Sequence, residues 1–130
     1  NPMIILDGAH NPDKIKTTIE AVTDHRSPIT NLHLIIAFTA DKNISKMIKQ
    51  LATLKPKSIA CTRYTNNPFR QPANPKDLAD RFKKILPKTK IEIFLDPQDA
   101  FTWSKKQAIR NDLLLVTGSM FLGGELKNLL

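Results

Sequence analysis

Short apolar runs alternate along the chain with longer stretches in which apolar residues recur every three or four positions. Met3–Leu6 is the first run, the length of a short strand. Asn11-Pro12-Asp13 then reads as a helix start: Asn can cap, Pro suits the first helical position, and Asp favours the positive end of the helix dipole. Ile15, Ile19 and Val22 follow at i, i+4 and i+7, one buried stripe. Leu32–Phe38 reads as a second strand; His33 inside it is taken as an edge or core residue rather than a ligand. Asn43 is placed as the cap of a helix whose Ile44, Met47, Ile48, Leu51 and Leu54 form the clearest stripe. Lys57–Cys61 reads as the third strand, followed by a polar loop, "TRYTNNPFRQPA", at 62–73. Asn74-Pro75 repeats the cap-then-proline signal, with Leu78, Ala79, Phe82, Ile85 and Leu86 as an inner face. Lys90–Leu95 is the fourth strand, and Asp96-Pro97 opens a helix expected to reach about Arg110. Asp112–Thr117 contains "LLLV", a run typical of a strand covered on both faces. Leu122, Leu126 and Leu129 suggest a closing helix.

This rhythm implies an α/β fold: a parallel sheet with helices on both faces and right-handed crossovers. The 130 residues suffice for one domain with a real core and are too few for two. No apolar run approaches the ~20 residues that span a bilayer. The start lacks a basic region followed by a long apolar stretch, and a strand begins by residue 3. The chain is therefore expected to be a piece of a longer protein. A single cysteine, Cys61, excludes an internal disulfide and a cysteine-rich zinc site; at a strand end it reads as inert core. The net charge of +8 raises the question of a polyanion partner. The basic residues, however, are spread over several helices, and no aromatic residues interleave with them as a stacking platform would require. Solvated helix faces are the simpler reading, and nucleic acid is not expected as a partner.

In an open α/β sheet, ligands bind beyond the carboxyl ends of the strands. That rule selects "DGAHN" at 7–11, "TADKN" at 39–43, "RYTNNPFR" at 63–70 and "TGS" at 117–119. Asp7 could accept two hydrogen bonds from a diol such as a ribose, or serve as a turn carboxylate bonded to nearby backbone. Gly8 permits positive φ or a close ligand approach. His10 could stack, donate a hydrogen bond or be an exposed turn residue. Lys42, before a helix start, could meet an anion or be a surface lysine. Ser119 could help hold a carboxylate or phosphate, or simply cap the last helix. There is no GxxxxGK[ST] loop, no GxGxxG and no GxSxG elbow. The three histidines, at 10, 25 and 33, and the one cysteine lack metal-ligand spacing. No self-sufficient catalytic set is visible.

Two of these motifs carry a family resemblance. "ILDGAHNP" (5–12) and "VTGSMFLGGELK" (116–127), with "ADKN" at 40–43 and "NNPFRQPANPKDLA" at 66–79 between them, resemble the C-terminal domain of folylpolyglutamate synthase/dihydrofolate synthase. This is a branch of the Mur ligase superfamily, and the resemblance covers essentially the whole chain, 1–130. It implies a three-layer α/β/α Rossmann-like domain with the five strands in order 1-5-2-3-4. It also implies an N-terminal P-loop ATPase domain, absent here, that carries the magnesium ligands and the folate site. The implied activity belongs to folate biosynthesis and one-carbon metabolism. In it a folate or dihydropteroate carboxylate takes the γ-phosphoryl group of ATP, and L-glutamate attacks the acyl phosphate. The C-terminal domain would close over that site and be inactive alone.

Carried over by position, the resemblance implies that Asp7 binds ATP through its ribose and that His10 lies near both nucleotide and glutamate. Lys42 would pair with the carboxylate of the incoming amino acid, Ser119 would sit at the glutamate site, and Phe121 would wall it. The family's ATP-contacting arginine falls upstream of this chain. Asn43 stands where the family usually has an aspartate, and Gly123-Gly124 where an apolar-Gly pair is usual. An antiparallel edge strand that the family places before the first motif is missing, which leaves the first strand at an exposed edge. Two alternatives stand beside this reading: another Mur-type amino-acid ligase, and a stand-alone module for an anion or nucleic acid.

Overall fold

The computed structural model describes residues 2–26, 30–40 and 43–130. Among these, strands and helices alternate as β1 (Met3–Leu6), α1 (Pro12–His25), β2 (Leu32–Ile36), α2 (Ile44–Ala52), β3 (Ser58–Cys61), α3 (Pro75–Ile85), β4 (Lys90–Ile93), α4 (Pro97–Gln107), β5 (Leu113–Thr117) and α5 (Met120–Leu126). A 3₁₀ turn over Lys127–Leu129 follows. The strands lie in the order β1-β5-β2-β3-β4, each pair parallel, as the resemblance implies.

Alternation along the strands divides the core in two. Leu32, Leu34, Ile36, Ile59, Cys61 and Leu115 face α1, α2 and α3. Ile35, Ala37, Ala60, Leu114 and Val116 face α4 and α5. The central strands β2, β3 and β5 are buried along their whole length, which is why they read as continuous apolar runs. β1 is an edge strand, with Met3 65% exposed. The opposite edge, β4, turns Lys90 and Glu92 outward, charges that discourage further strand pairing.

Three helices begin as their sequences require. Asn11, Asn74 and Asp96 accept hydrogen bonds from Lys14 N, Lys76 N and Gln98 N, each with proline next in the chain. Asn43 differs: its side chain makes no capping bond. Proline pushes the residue before it into extended backbone, the conformation an N-cap needs. Asn43 precedes Ile44, lacks that constraint, and sits at φ −76°, ψ 69°.

Several boundaries fall short of expectation. β2 stops at Ile36: Ala37 and Phe38 stay buried and Ala37 N still donates to Thr117 O at 3.4 Å, but Phe38 O turns away to accept from Ala73 N. β4 stops at Ile93, because its partner β3 ends at Cys61. α4 stops at Gln107, well before Arg110: Asn111 is left-handed, at φ 72°, in the tight turn that feeds β5. Ile85 and Leu129, placed inside by periodicity, are 41% and 39% exposed.

His33 is a core residue. Its Nε2 lies 2.9 Å from Asp112 Oδ2 and its Nδ1 2.7 Å from Ser58 Oγ, so one ring joins β2, β3 and the start of β5. Burial alone would push the Asp112 carboxyl up. Hydrogen bonds from Ile109 N, the His33 ring and Asn31 N outweigh it, and the pKa lies below the usual carboxylate value. Cys61 is fully buried, and desolvation raises its thiol to about 12. Among the described residues, no helix is long and apolar enough to cross a membrane.

Candidate functional site

The parallel register sets the carboxyl ends of β1, β5 and β2 side by side: Leu6 is opposite Val116, and Thr117 is opposite Ile36. One residue further, Asp7 N donates to Val116 O at 2.8 Å, so the ladder carries Asp7 to the rim beside Thr117. Its Oδ2 accepts from Thr117 Oγ1 and Thr18 Oγ1, both at 2.8 Å, and from Ala9 N at 3.1 Å. The Ala9 bond is the turn role anticipated for this carboxylate; the two threonines extend it into a junction of β1, α1 and β5. All three bonds use Oδ2 and none uses Oδ1.

The turn after β5 is wedged against this junction. Gly118 N donates to Ala9 O at 3.0 Å. Gly118 has φ 101°, and a Cβ there would lie 2.3 Å from Ala37 O and 2.9 Å from the Phe38 ring. The positive φ anticipated at Gly8 therefore belongs to Gly118. At Gly8 a Cβ would meet Met120 Cβ at 3.4 Å, an ordinary van der Waals contact. Ser119, 2% exposed, caps α5 by accepting from Phe121 N at 3.1 Å.

His10 folds back on its own turn, with Nδ1 3.1 Å from Gly8 O. A carbonyl only accepts, so Nδ1 carries the proton, and in the neutral ring Nε2 is a bare acceptor. Two open grooves adjoin the turn. One, of about 540 Å³, runs past His10, Lys14 and Thr18. The other, of about 520 Å³, runs past Leu6, Gly123, Gly124 and Lys127. Asp7, Gly8 and Met120 line both, so Met120, 56% exposed, stands on the ridge between them.

Of the anticipated residues, Asp7, His10 and Ser119 thus meet around two interlocked turns. Phe121 lines neither groove; its ring packs on Tyr64, with centroids 5.1 Å apart. Lys42 lies outside the described residues. Thr18, Thr117, Met120 and Glu125 were not anticipated. Nor was Tyr64, although the one aromatic hydroxyl in the chain, placed in a long polar loop, was a usable signal. Among the described residues, no three His, Cys, Asp or Glu side chains converge as a metal site.

Residues 1–129 match the family described as dihydrofolate synthetase, C-terminal domain. The chain belongs to this family. It is 26% identical over 129 residues to the dihydrofolate synthase/folylpolyglutamate synthase of Bacillus subtilis, a match covering 98% of the chain and 27% of that protein. Two solved structures share the fold of this family domain. E. coli FolC in complex with DHPP and ADP gives a TM-score of 0.82 at 18% identity, over 97% of this chain and 28% of that one. A bifunctional folylpolyglutamate synthase/dihydrofolate synthase with Mn, AMPPNP and L-glutamate bound gives 0.78 at 21% identity, over 98% and 29%. The chain therefore spans little more than a quarter of the length of these relatives.

Proposed function

We propose that the chain is the nucleotide- and glutamate-side domain of a cytoplasmic ATP-dependent ligase that joins L-glutamate to a folate or to dihydropteroate through an acyl phosphate. One observation carries this reading. The turn bearing Asp7 and the turn bearing Ser119 are bonded to each other at neighbouring strand ends, through Thr117 Oγ1 to Asp7 Oδ2 and Gly118 N to Ala9 O. A relative with this fold has been solved with ADP, and another with AMPPNP and L-glutamate.

In this reading Asp7 receives the ribose. Three donors hold Oδ2 still, and Oδ1 accepts from the diol. A preset carboxylate loses little freedom when the ligand arrives. His10, with its tautomer fixed by Gly8 O, offers Nε2 as an acceptor between the nucleotide and the amino acid. Ser119 sets the start of α5, and Phe121 bounds the amino-acid side; Lys42 would meet the glutamate carboxylate. Magnesium would neutralise phosphate charge, and the family resemblance assigns it, with the P-loop, to an upstream domain of the same polypeptide. The domain alone would then be inactive.

The test is ligation by the chain joined to its upstream domain. ATP, magnesium, dihydropteroate and labelled L-glutamate should yield ADP, phosphate and a glutamylated pterin, and neither half should do so alone. Transfer of a different amino acid in place of glutamate would replace this substrate assignment with another Mur-type ligase.

A further inference from the structure

α5 carries Ser119 as its cap and Phe121 in its first turn, yet it is poorly equipped to hold its own shape. It has seven residues, two of them the adjacent Gly123 and Gly124. Short helices do not repay the cost of nucleation, and glycine in a helix interior is unfavourable relative to alanine. A Cβ on either glycine would meet nothing within 4 Å, so packing inside the domain does not call for them. Leu122 and Leu126 anchor one face to the sheet.

A neighbouring face, about 100° round the helix, is held from outside. Phe121 and Glu125, four apart and so on one face, both meet the loop at 62–73. Three consecutive loop residues each take one group. The Tyr64 ring packs on the Phe121 ring at 5.1 Å. Thr65 N donates to Glu125 Oε1 at 2.7 Å, and Thr65 Oγ1 donates to Glu125 Oε2. Asn66 Nδ2 donates to Phe121 O at 3.2 Å. The loop is itself rooted: Tyr64 is 2% exposed, its hydroxyl donates to Arg70 O at 3.1 Å, and Ala40 N donates to Gln71 O at 2.9 Å.

We infer that Glu125 is a positioning residue, whose carboxylate straps the loop at 62–73 to α5 and so holds Ser119 and Phe121 in place for the incoming amino acid. This rests on the function proposed above for those two residues. The chemistry needs a carboxylate. Thr65 presents two donors on one residue, and Glu125 answers with two acceptors; glutamine would offer one acceptor and a donor that faces another donor. Hydrogen bonds to a charged acceptor are among the stronger ones.

The test uses the chain joined to its upstream domain, with hydrogen exchange and kinetics as separate readouts. Glu125→Ala should speed amide exchange in residues 64–66 and 120–126 about tenfold, leaving β2 and β5 unchanged. It should raise KM for L-glutamate about tenfold with KM for ATP unchanged. Glu125→Gln should fall between Glu125→Ala and the parent. Thr65→Ser, which keeps both donors, should match the parent. Adding Gly124→Ala to Glu125→Ala should restore protection in α5 but not in residues 64–66. Unchanged exchange after Glu125→Ala, or a loss spread over the whole sheet, overturns the strap. Faster exchange with an unchanged KM for glutamate overturns the positioning role. If Ser119→Ala and Phe121→Ala also leave that KM unchanged, the amino-acid-side reading itself falls.

Discussion

Gly118→Ala tests the packing of the site turns most severely. The backbone there is left-handed, at φ 101°, and the new Cβ would sit 2.3 Å from Ala37 O. That is about 1 Å inside a close C···O contact of roughly 3.3 Å. Holding a non-glycine residue in such backbone costs ~1–3 kcal/mol, and forcing the packed neighbours apart costs a further ~1–3 kcal/mol. A total near 4 kcal/mol is a large share of the ~5–15 kcal/mol that stabilises an ordinary domain. It should lower Tm by about 15 °C for a chain of this size, using ~2.1 cal/mol/K of unfolding entropy per residue. Urea unfolding should show a lower midpoint at an unchanged slope. Gly8→Ala is the matched control: its Cβ meets Met120 at an ordinary 3.4 Å, and it should cost under ~1 kcal/mol. The reasoning fails if Gly118→Ala stays within ~1 kcal/mol of the parent, or if Gly8→Ala costs as much.

Other outcomes follow from the same structure. Hydrogen bonds hold Asp112 below the usual carboxylate value, so its ionised form stabilises the fold. That contribution is fully present above the unfolded pKa of about 3.9 and is lost as pH falls through the lower folded value. Urea midpoints measured from pH 6 down to pH 2 should drop in this window, and Asp112→Asn should flatten the drop. Gly123→Ala and Gly124→Ala should each raise stability by ~0.5–1 kcal/mol in denaturant titrations, because the added methyl meets open space. Cys61, with its thiol near 12 and no exposed surface, should not react with a disulfide reagent at pH 8 until the chain is unfolded.

The fold was legible because its signals are local and repeated. Asn11, Asn74 and Asp96 each precede a proline, and each caps a helix as read. The buried runs at Leu32–Ile36 and Leu113–Thr117 showed the covered strands. What was missed depends on neighbours remote in sequence. β4 ends where β3 stops pairing, which no window around Leu95 records. Ile85 fits the helical stripe and is nevertheless 41% exposed. At the site, Asp7 was visible because a carboxylate closing an apolar strand is unusual. Its partners, Thr18 and Thr117, are ordinary threonines until the register of β1 against β5 brings them together. Glu125 pairs with Thr65 across sixty positions. The resemblance named Ser119 and Phe121 and took in much of the loop at 62–73, but gave no bond between them.

The central claim is that Asp7 receives the nucleotide. In the chain joined to its upstream domain, glutamate ligation by Asp7→Ala should show KM for ATP raised about tenfold to a hundredfold, the worth of hydrogen bonds to a charged acceptor. KM for L-glutamate should change far less. An Asp7→Ala enzyme that keeps the parent's KM for ATP would contradict the account.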